Sequence, residues 1–210
     1  MASENTSLPR RSLRPLGRVW FAALACFWLA GVASGLWVLW AYDNRAGEGA
    51  HAPQHWPAGS VLTAAANRPT LVFLAHPQCS CTRASLDELA EILARAKATP
   101  KTYILFLKPS SVEASWNETD LLKRATTLPN VTVLRDDDGR EAQRFGVETS
   151  GQTLLYDANG RLTFSGGITG SRGHVGENAG ELALISLLNN GQADRTATSV
   201  FGCPLFATAE

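Results

Sequence analysis

No net charge remains on this chain, because its 19 lysines and arginines are matched by 19 aspartates and glutamates. A nucleic acid or another polyanion binds a basic face, so the charge balance excludes that class of partner from expectation. Internal repeats and low-complexity blocks are also missing. With 210 residues and 45% hydrophobic content, the chain suffices for one ordinary domain with a buried core, plus an appendage. Cysteine is sparse, at four residues. The most local absence is of charge between Val19 and Tyr42, where the sequence reads VWFAALACFWLAGVASGLWVLWAY.

As a helix that run would extend about 36 Å, enough to cross a bilayer. Trp20 stands at one end and Trp37, Trp40 and Tyr42 at the other, where amphipathic rings meet the two interfaces. Arg10, Arg11, Arg14 and Arg18 precede it against the single acid Glu4. The positive-inside rule then makes residues 1–18 a basic cytoplasmic N-terminus and 19–42 a single-pass anchor in the cell membrane. Everything beyond falls on the extracytoplasmic, periplasmic side. A cleaved signal peptide, cut near Gly31-Val32-Ala33, is the alternative. It would leave Leu36 to Trp40 as an apolar stub, and the run exceeds an ordinary h-region. Cys26, inside the run, is expected to pack within the membrane.

Residues 43–60 are rich in Gly, Pro, Ala and His without period and read as a linker. Residues 61–190 read as the folded domain, and 191–210 as a tail carrying Cys203. Thr70 to Ala75 is an apolar strand. Leu86, Leu89, Ile92, Leu93 and Ala96 then form a helical stripe to about Lys97, closed by Pro100. Thr102 to Leu107 is a continuous apolar run, the mark of a strand buried on both faces of a parallel sheet. Asn117 can cap a helix from Glu118 to about Thr126, followed by a strand at Val131 to Leu134 and a short helix at Arg140 to Phe145. The acidic run Asp136-Asp137-Asp138 lacks the alternate ligand spacing of a calcium loop and reads as a polar turn. Gln152 to Tyr156 and Leu162 to Ser165 form a hairpin across Asp157-Ala158-Asn159-Gly160. A last helix, about Asn178 to Leu188, sets Leu182, Ile185 and Leu188 on one side. The expected fold class is α/β, a mixed central sheet covered on both faces, preceded by one transmembrane helix.

The chemistry concentrates where the first strand meets the first helix of this domain, at His76-Pro77-Gln78-Cys79-Ser80-Cys81. A helix N-terminus presents unpaired amide donors and the positive end of the macrodipole, both of which favour a thiolate over a thiol. A disulfide between Cys79 and Cys81 would close a smaller ring than the familiar two-residue spacing and would be strained and oxidising. Otherwise the partner thiol lies elsewhere, and Cys203 in Phe201-Gly202-Cys203-Pro204-Leu205 is the candidate, either as a resolving thiol or as a permanent clip for the tail.

The order of elements, with cysteines at the first strand-to-helix junction, resembles the thioredoxin fold, a three-layer α/β/α sandwich. More narrowly it is similar to membrane-anchored bacterial redoxins, the RedB-like and TlpA/ResA-like group. The matching residues are Phe73-Leu74-Ala75 before the cysteines, Phe145-Gly146-Val147, and Thr153-Leu154-Leu155-Tyr156-Asp157-Ala158-Asn159-Gly160. The family spaces its cysteines by two residues, whereas only Ser80 separates Cys79 from Cys81. The family's cis-proline, in the loop that receives the substrate chain, falls on Gly151. The resemblance implies thiol-disulfide oxidoreductase activity on protein thiols and disulfides, no cofactor, and a membrane thiol carrier as electron donor. The family's topology brings Gly166 to Gly176 back toward the cysteines, so Arg172 and His174 are candidates for tuning them.

The expected assignment is Cys79 as the more exposed nucleophile, Cys81 as its immediate partner and Cys203 as a further redox residue. An alternative is a copper-delivery protein on the same fold, with Cys79, Cys81 and His76 (or His174) as a soft ligand set for Cu(I). A third reading is a thiol peroxidase using one low-pKa cysteine, although His76 stands where that motif has threonine.

Overall fold

The computed structural model describes residues 15–206. Arg10, Arg11 and Arg14 of the basic N-terminus lie outside them. Two compact units result, Met1–Tyr42 and Asp43–Glu210. In the first, helix α1 (Pro15–Asp43) is long and apolar enough to cross a membrane, with Trp20, Phe27, Trp37 and Trp40 exposed along it.

The second unit is a five-stranded sheet of order β3-β2-β1-β4-β5. Strand β1 (Thr70–Ala75) pairs in parallel with β2 (Lys101–Lys108), which pairs in parallel with β3 (Val131–Asp137). On the other side, β4 (Thr153–Tyr156) runs antiparallel to β1, and β5 (Leu162–Gly166) antiparallel to β4. This is the thioredoxin-like arrangement, a parallel βαβ unit joined to an antiparallel hairpin. All six residues of β1 are buried because it lies at the centre of the sheet with a layer on each face.

Alternate residues of the strands sort into two cores. Leu71, Phe73, Ile104, Phe106, Leu155 and Phe164 pack against helices α2 (Ser80–Arg95), α3 (Asp120–Thr126) and α5 (Ala179–Asn190). Val72, Leu74, Leu105, Leu154 and Tyr156 face the opposite way, toward α4 (Arg140–Arg144) and Phe145. Helix α4 has only five residues and cannot cover that face alone. Residues 50–62 and the end of the tail complete it, through Trp56, Leu62, Leu205 and Phe206. The segment 43–60, expected as a linker, is therefore laid along the domain. Trp56 meets Phe145 and Tyr156 edge-on, both at 5.2 Å, and the main chain bonds His51 N–H to Gly146 O and Trp56 N–H to Gly160 O, each at 2.8 Å. The tail likewise protects the outer edge of β5, where Ser165 N–H donates to Thr196 O at 2.9 Å.

Three local expectations shift. Helix α3 is capped by Thr119, whose hydroxyl accepts from Leu122 N–H, while Ala114–Asn117 forms a 3-10 turn ahead of it. Asp136 and Asp137 belong to β3, not to the turn. Leu182 is 43% exposed, and Ala183, Leu184 and Leu188 form the buried side of α5. Asp136 is buried because it caps α4: its two carboxylate oxygens accept Glu141 and Ala142 N–H, both at 2.8 Å. Asp136→Asn turns an amide donor toward one of these N–H groups. We expect a loss of about 1 kcal/mol in unfolding free energy, read from urea denaturation.

Candidate functional site

Cys79 is the N-cap of α2, in extended backbone conformation, so its side chain sits at the positive end of a helix of 16 residues. The preceding turn is closed by Cys79 N–H on His76 O, and the helix begins with Thr82 N–H on Cys79 O, both at 3.1 Å. The residue facing an N-cap from the first turn is the third one on, and here that residue is Thr82. Cys81 is only two residues on, and its thiol also lies within hydrogen-bond reach of Cys79.

Cys203 is brought to this point by the tail. Residues 202–205 run antiparallel to the loop 148–150. Ser150 N–H donates to Cys203 O at 2.9 Å, Leu205 N–H donates to Glu148 O at 2.7 Å, and Thr149 bridges Pro204. Gly202 is required at the closest approach, since a Cβ there would stand 1.9 Å from Ser150 O. Arg172 ties the segment down from the opposite side, its Nη1 donating to Gly202 O at 2.8 Å and its Nε to Arg45 O at 3.2 Å. Gly47 N–H adds a bond to Val200 O at 2.9 Å. We call residues 200–205 the strap.

The strap reverses the expected order of exposure. Cys79 is 1% exposed and Cys81 8%, so Cys79 is the more buried of the two. No disulfide joins the described cysteines. Hydrogen bonding from the Cys203 thiol holds the Cys79 thiol well below the usual range, with smaller help from Thr82, against the opposing cost of burial. The same bond pushes Cys203 up, and burial adds to it, while Arg172 pulls the other way. Cys81 is raised by burial first and by the neighbouring Cys79 thiolate second. The three thiols are thus pushed apart, Cys79 downward and Cys81 and Cys203 upward.

Gly151 follows residues 148–150 directly, with φ +90°. Its N–H donates to Leu74 O at 2.8 Å, and a Cβ there would approach Ser85 Oγ at 3.3 Å and Phe201 O at 3.7 Å. Of the two residues considered for tuning, Arg172 acts electrostatically on Cys81 and Cys203. His174 lies on an exposed turn, its N–H on Ser171 O at 3.4 Å. Buried Glu88 fixes the loop carrying Arg172 by accepting Gly176 N–H at 2.6 Å and Asn178 Nδ2 at 3.4 Å.

His76 lies edge-on to Trp116 at 5.2 Å, and its Nδ1 accepts Gln78 N–H at 3.2 Å. Burial lowers its pKa, with the Cys79 charge opposing. Among the described residues no group of three or more His, Cys, Asp or Glu side chains is arranged to hold a metal ion, so Cys79, Cys81 and His76 do not form the soft ligand set considered above.

Residue-type patterns did not single out Thr82 or Ser150. Both are buried, their hydroxyls 3.0 Å apart, and Ser150 Oγ accepts His76 N–H at 2.8 Å. The threonine was legible as the third residue beyond Cys79. Ser150 carried no signal, because the loop supplying it is remote in sequence.

No protein-family model matches the sequence, and neither does any curated protein. Solved structures do match. An uncharacterized conserved protein from Geobacillus kaustophilus is similar at 14% identity and TM-score 0.56, over 80% of this chain and 95% of that one. A hypothetical protein from Sinorhizobium meliloti 1021 is similar at 18% identity and TM-score 0.52, over 79% and 96%. A secreted Mycobacterium tuberculosis disulfide oxidoreductase, described as homologous to E. coli DsbE, aligns at 17% identity and TM-score 0.35, over 46% and 66%.

Proposed function

We propose that this thioredoxin-like domain is a membrane-anchored thiol-disulfide oxidoreductase whose working pair is Cys79 and Cys203. The observation carrying this reading is the strap, whose main-chain bonds to residues 148–150 seat Cys203 in hydrogen-bond contact with Cys79 at the N-terminus of α2. The reduced enzyme attacks a disulfide R–S–S–R′ through the Cys79 thiolate. The new bond is Cys79–S–S–R, and R′S⁻ leaves. Once Cys79 is uncharged, the hydrogen bond and repulsion that kept Cys203 protonated disappear, and Arg172 favours its ionisation. Cys203 loses its proton to solvent and attacks the Cys79 sulfur, expelling RS⁻. A Cys79–Cys203 disulfide remains and two electrons have passed to the substrate. An external dithiol restores the pair, and the sequence runs backward against a reduced protein.

The substrates in this reading are protein thiols and disulfides. Helix α1 is the anchor, with the basic N-terminus in the cytoplasm and the domain outside it, where disulfides persist. A membrane thiol carrier is the donor. Cys81 is a bystander to the main cycle, since a bond to Cys79 across the single residue Ser80 would be strained.

The test is mass-spectrometric disulfide mapping of the full chain in detergent, across a graded glutathione redox buffer. We expect a reversible Cys79–Cys203 bond formed at a defined potential. A bond between Cys79 and Cys81 would move the function to a C-x-C centre. Three thiols unreactive throughout would remove the redox reading.

A further inference from the structure

The strap occupies main-chain groups that any polypeptide could use. Ser150 N–H and Glu148 O are held by the backbone of Cys203 and Leu205, at 2.9 and 2.7 Å, and neither bond depends on a side chain of the strap. The strap also covers the nucleophile, leaving Cys79 1% exposed. An incoming disulfide therefore competes with an internal occupant before it reaches sulfur. A polypeptide in extended form can replace both main-chain bonds as it displaces the strap, so its entry loses little. A small disulfide such as glutathione disulfide has no extended chain to run across residues 148–150. It must open the strap without replacing what is broken.

Resting on the oxidoreductase reading above, we propose that the strap determines specificity: it excludes small disulfides and admits cysteine-bearing extended polypeptides, which take its place along residues 148–150. Arg172 and Gly202 set how firmly it is seated. Arg172 holds Gly202 O, and the missing Cβ at 202 permits contact with Ser150 O.

The experiment uses reduced full-length protein in detergent at pH 9. The probes are glutathione disulfide and an unstructured peptide whose single cysteine is disulfide-linked to glutathione. Loss of the free Cys79 thiol is followed by mass spectrometry, which reads the first step independently of resolution by Cys203. The native protein is expected to react at least tenfold faster with the peptide. Gly202→Val, which forces the strap off Ser150, should raise the glutathione disulfide rate tenfold or more and the peptide rate less than threefold, so that the preference collapses. Arg172→Gln should shift the ratio the same way by about threefold, and it keeps the test open if Gly202→Val does not fold. Equal rates for the two probes in the native protein, or equal acceleration of both in the variants, would overturn the proposal. Protection of Cys79 from iodoacetamide, relieved in Gly202→Val, reads the strap alone. Its persistence alongside a failed redox mapping would separate the loss of the oxidoreductase reading from loss of this one.

Discussion

Cys203→Ser should trap the enzyme on its substrate. After reduced protein meets a disulfide, the Cys79 mixed disulfide is expected to accumulate and to survive at least 100-fold longer than in the native chain. A tethered thiol acts at an effective concentration of millimolar or far above when its geometry is right, and the strap positions Cys203 beside Cys79. Cys81 is a poor substitute, because a disulfide closed across the single residue Ser80 is strained. Intact-mass analysis over time gives the lifetime. Release as fast as in the native protein would show that Cys81 resolves. Cys81→Ser should leave the lifetime within about twofold of native. A Cys203→Ala chain, which keeps no side-chain donor at this position, loses the largest influence holding the Cys79 thiol low. Its alkylation profile should therefore move to higher pH: less thiolate in mildly acidic buffer, and the full amount only above the ordinary thiol range.

Thr82→Val should give the second large effect, of about tenfold, again in the pH profile. Thr82 helps to lower the Cys79 thiol, and its hydroxyl lies 3.3 Å from His76 O and 3.0 Å from Ser150 Oγ. Valine keeps the shape and the N–H and removes only the O–H. At a pH below both midpoints, the rate of Cys79 alkylation should fall about tenfold, while the plateau at high pH stays the same. A unit of pKa corresponds to a factor of ten in thiolate population. Thr82→Ser restores the hydroxyl and should recover most of the rate. If valine and serine behave alike, the threonine acts through packing and the hydroxyl is idle.

How far the sequence is legible depends on which atoms make each contact. Strands β1 and β2 announce themselves through side chains, as apolar runs between polar turns, and the hairpin through Asp157-Ala158-Asn159-Gly160. The reactive position of Cys79 was equally plain, since it follows from one strand end and one helix start. The docking of residues 43–60 and of the tail is silent in the sequence for the opposite reason. His51, Trp56, Cys203 and Leu205 dock through main-chain N–H and C=O groups, which every sequence possesses. Trp56 and Gly202 bear side-chain marks of it, an aromatic in a polar stretch and a glycine at a contact. Cys79 was expected to be exposed because a helix start is an open site until something covers it, and the cover comes from more than 120 residues further on. Thr119 displaced Asn117 as the cap because the 3-10 turn Ala114–Asn117 uses up the residues before it.

The route of the chain after α1 decides the smallest piece that can be expressed as a folded unit. Pattern and periodicity place that start near Val61. A fragment beginning there would lack the indole of Trp56 between Phe145 and Tyr156, and would lose Pro53 O, which accepts the buried Tyr156 hydroxyl at 3.1 Å. It would also lose Arg45 O and Gly47 N–H, two of the contacts that steady Arg172 and Val200. The consequence reaches the reactive sulfur, because those two residues hold the segment that carries its partner. A fragment that keeps the native centre must therefore start at Asp43, where helix α1 ends, and the stretch 43–60 counts as part of the domain's own body.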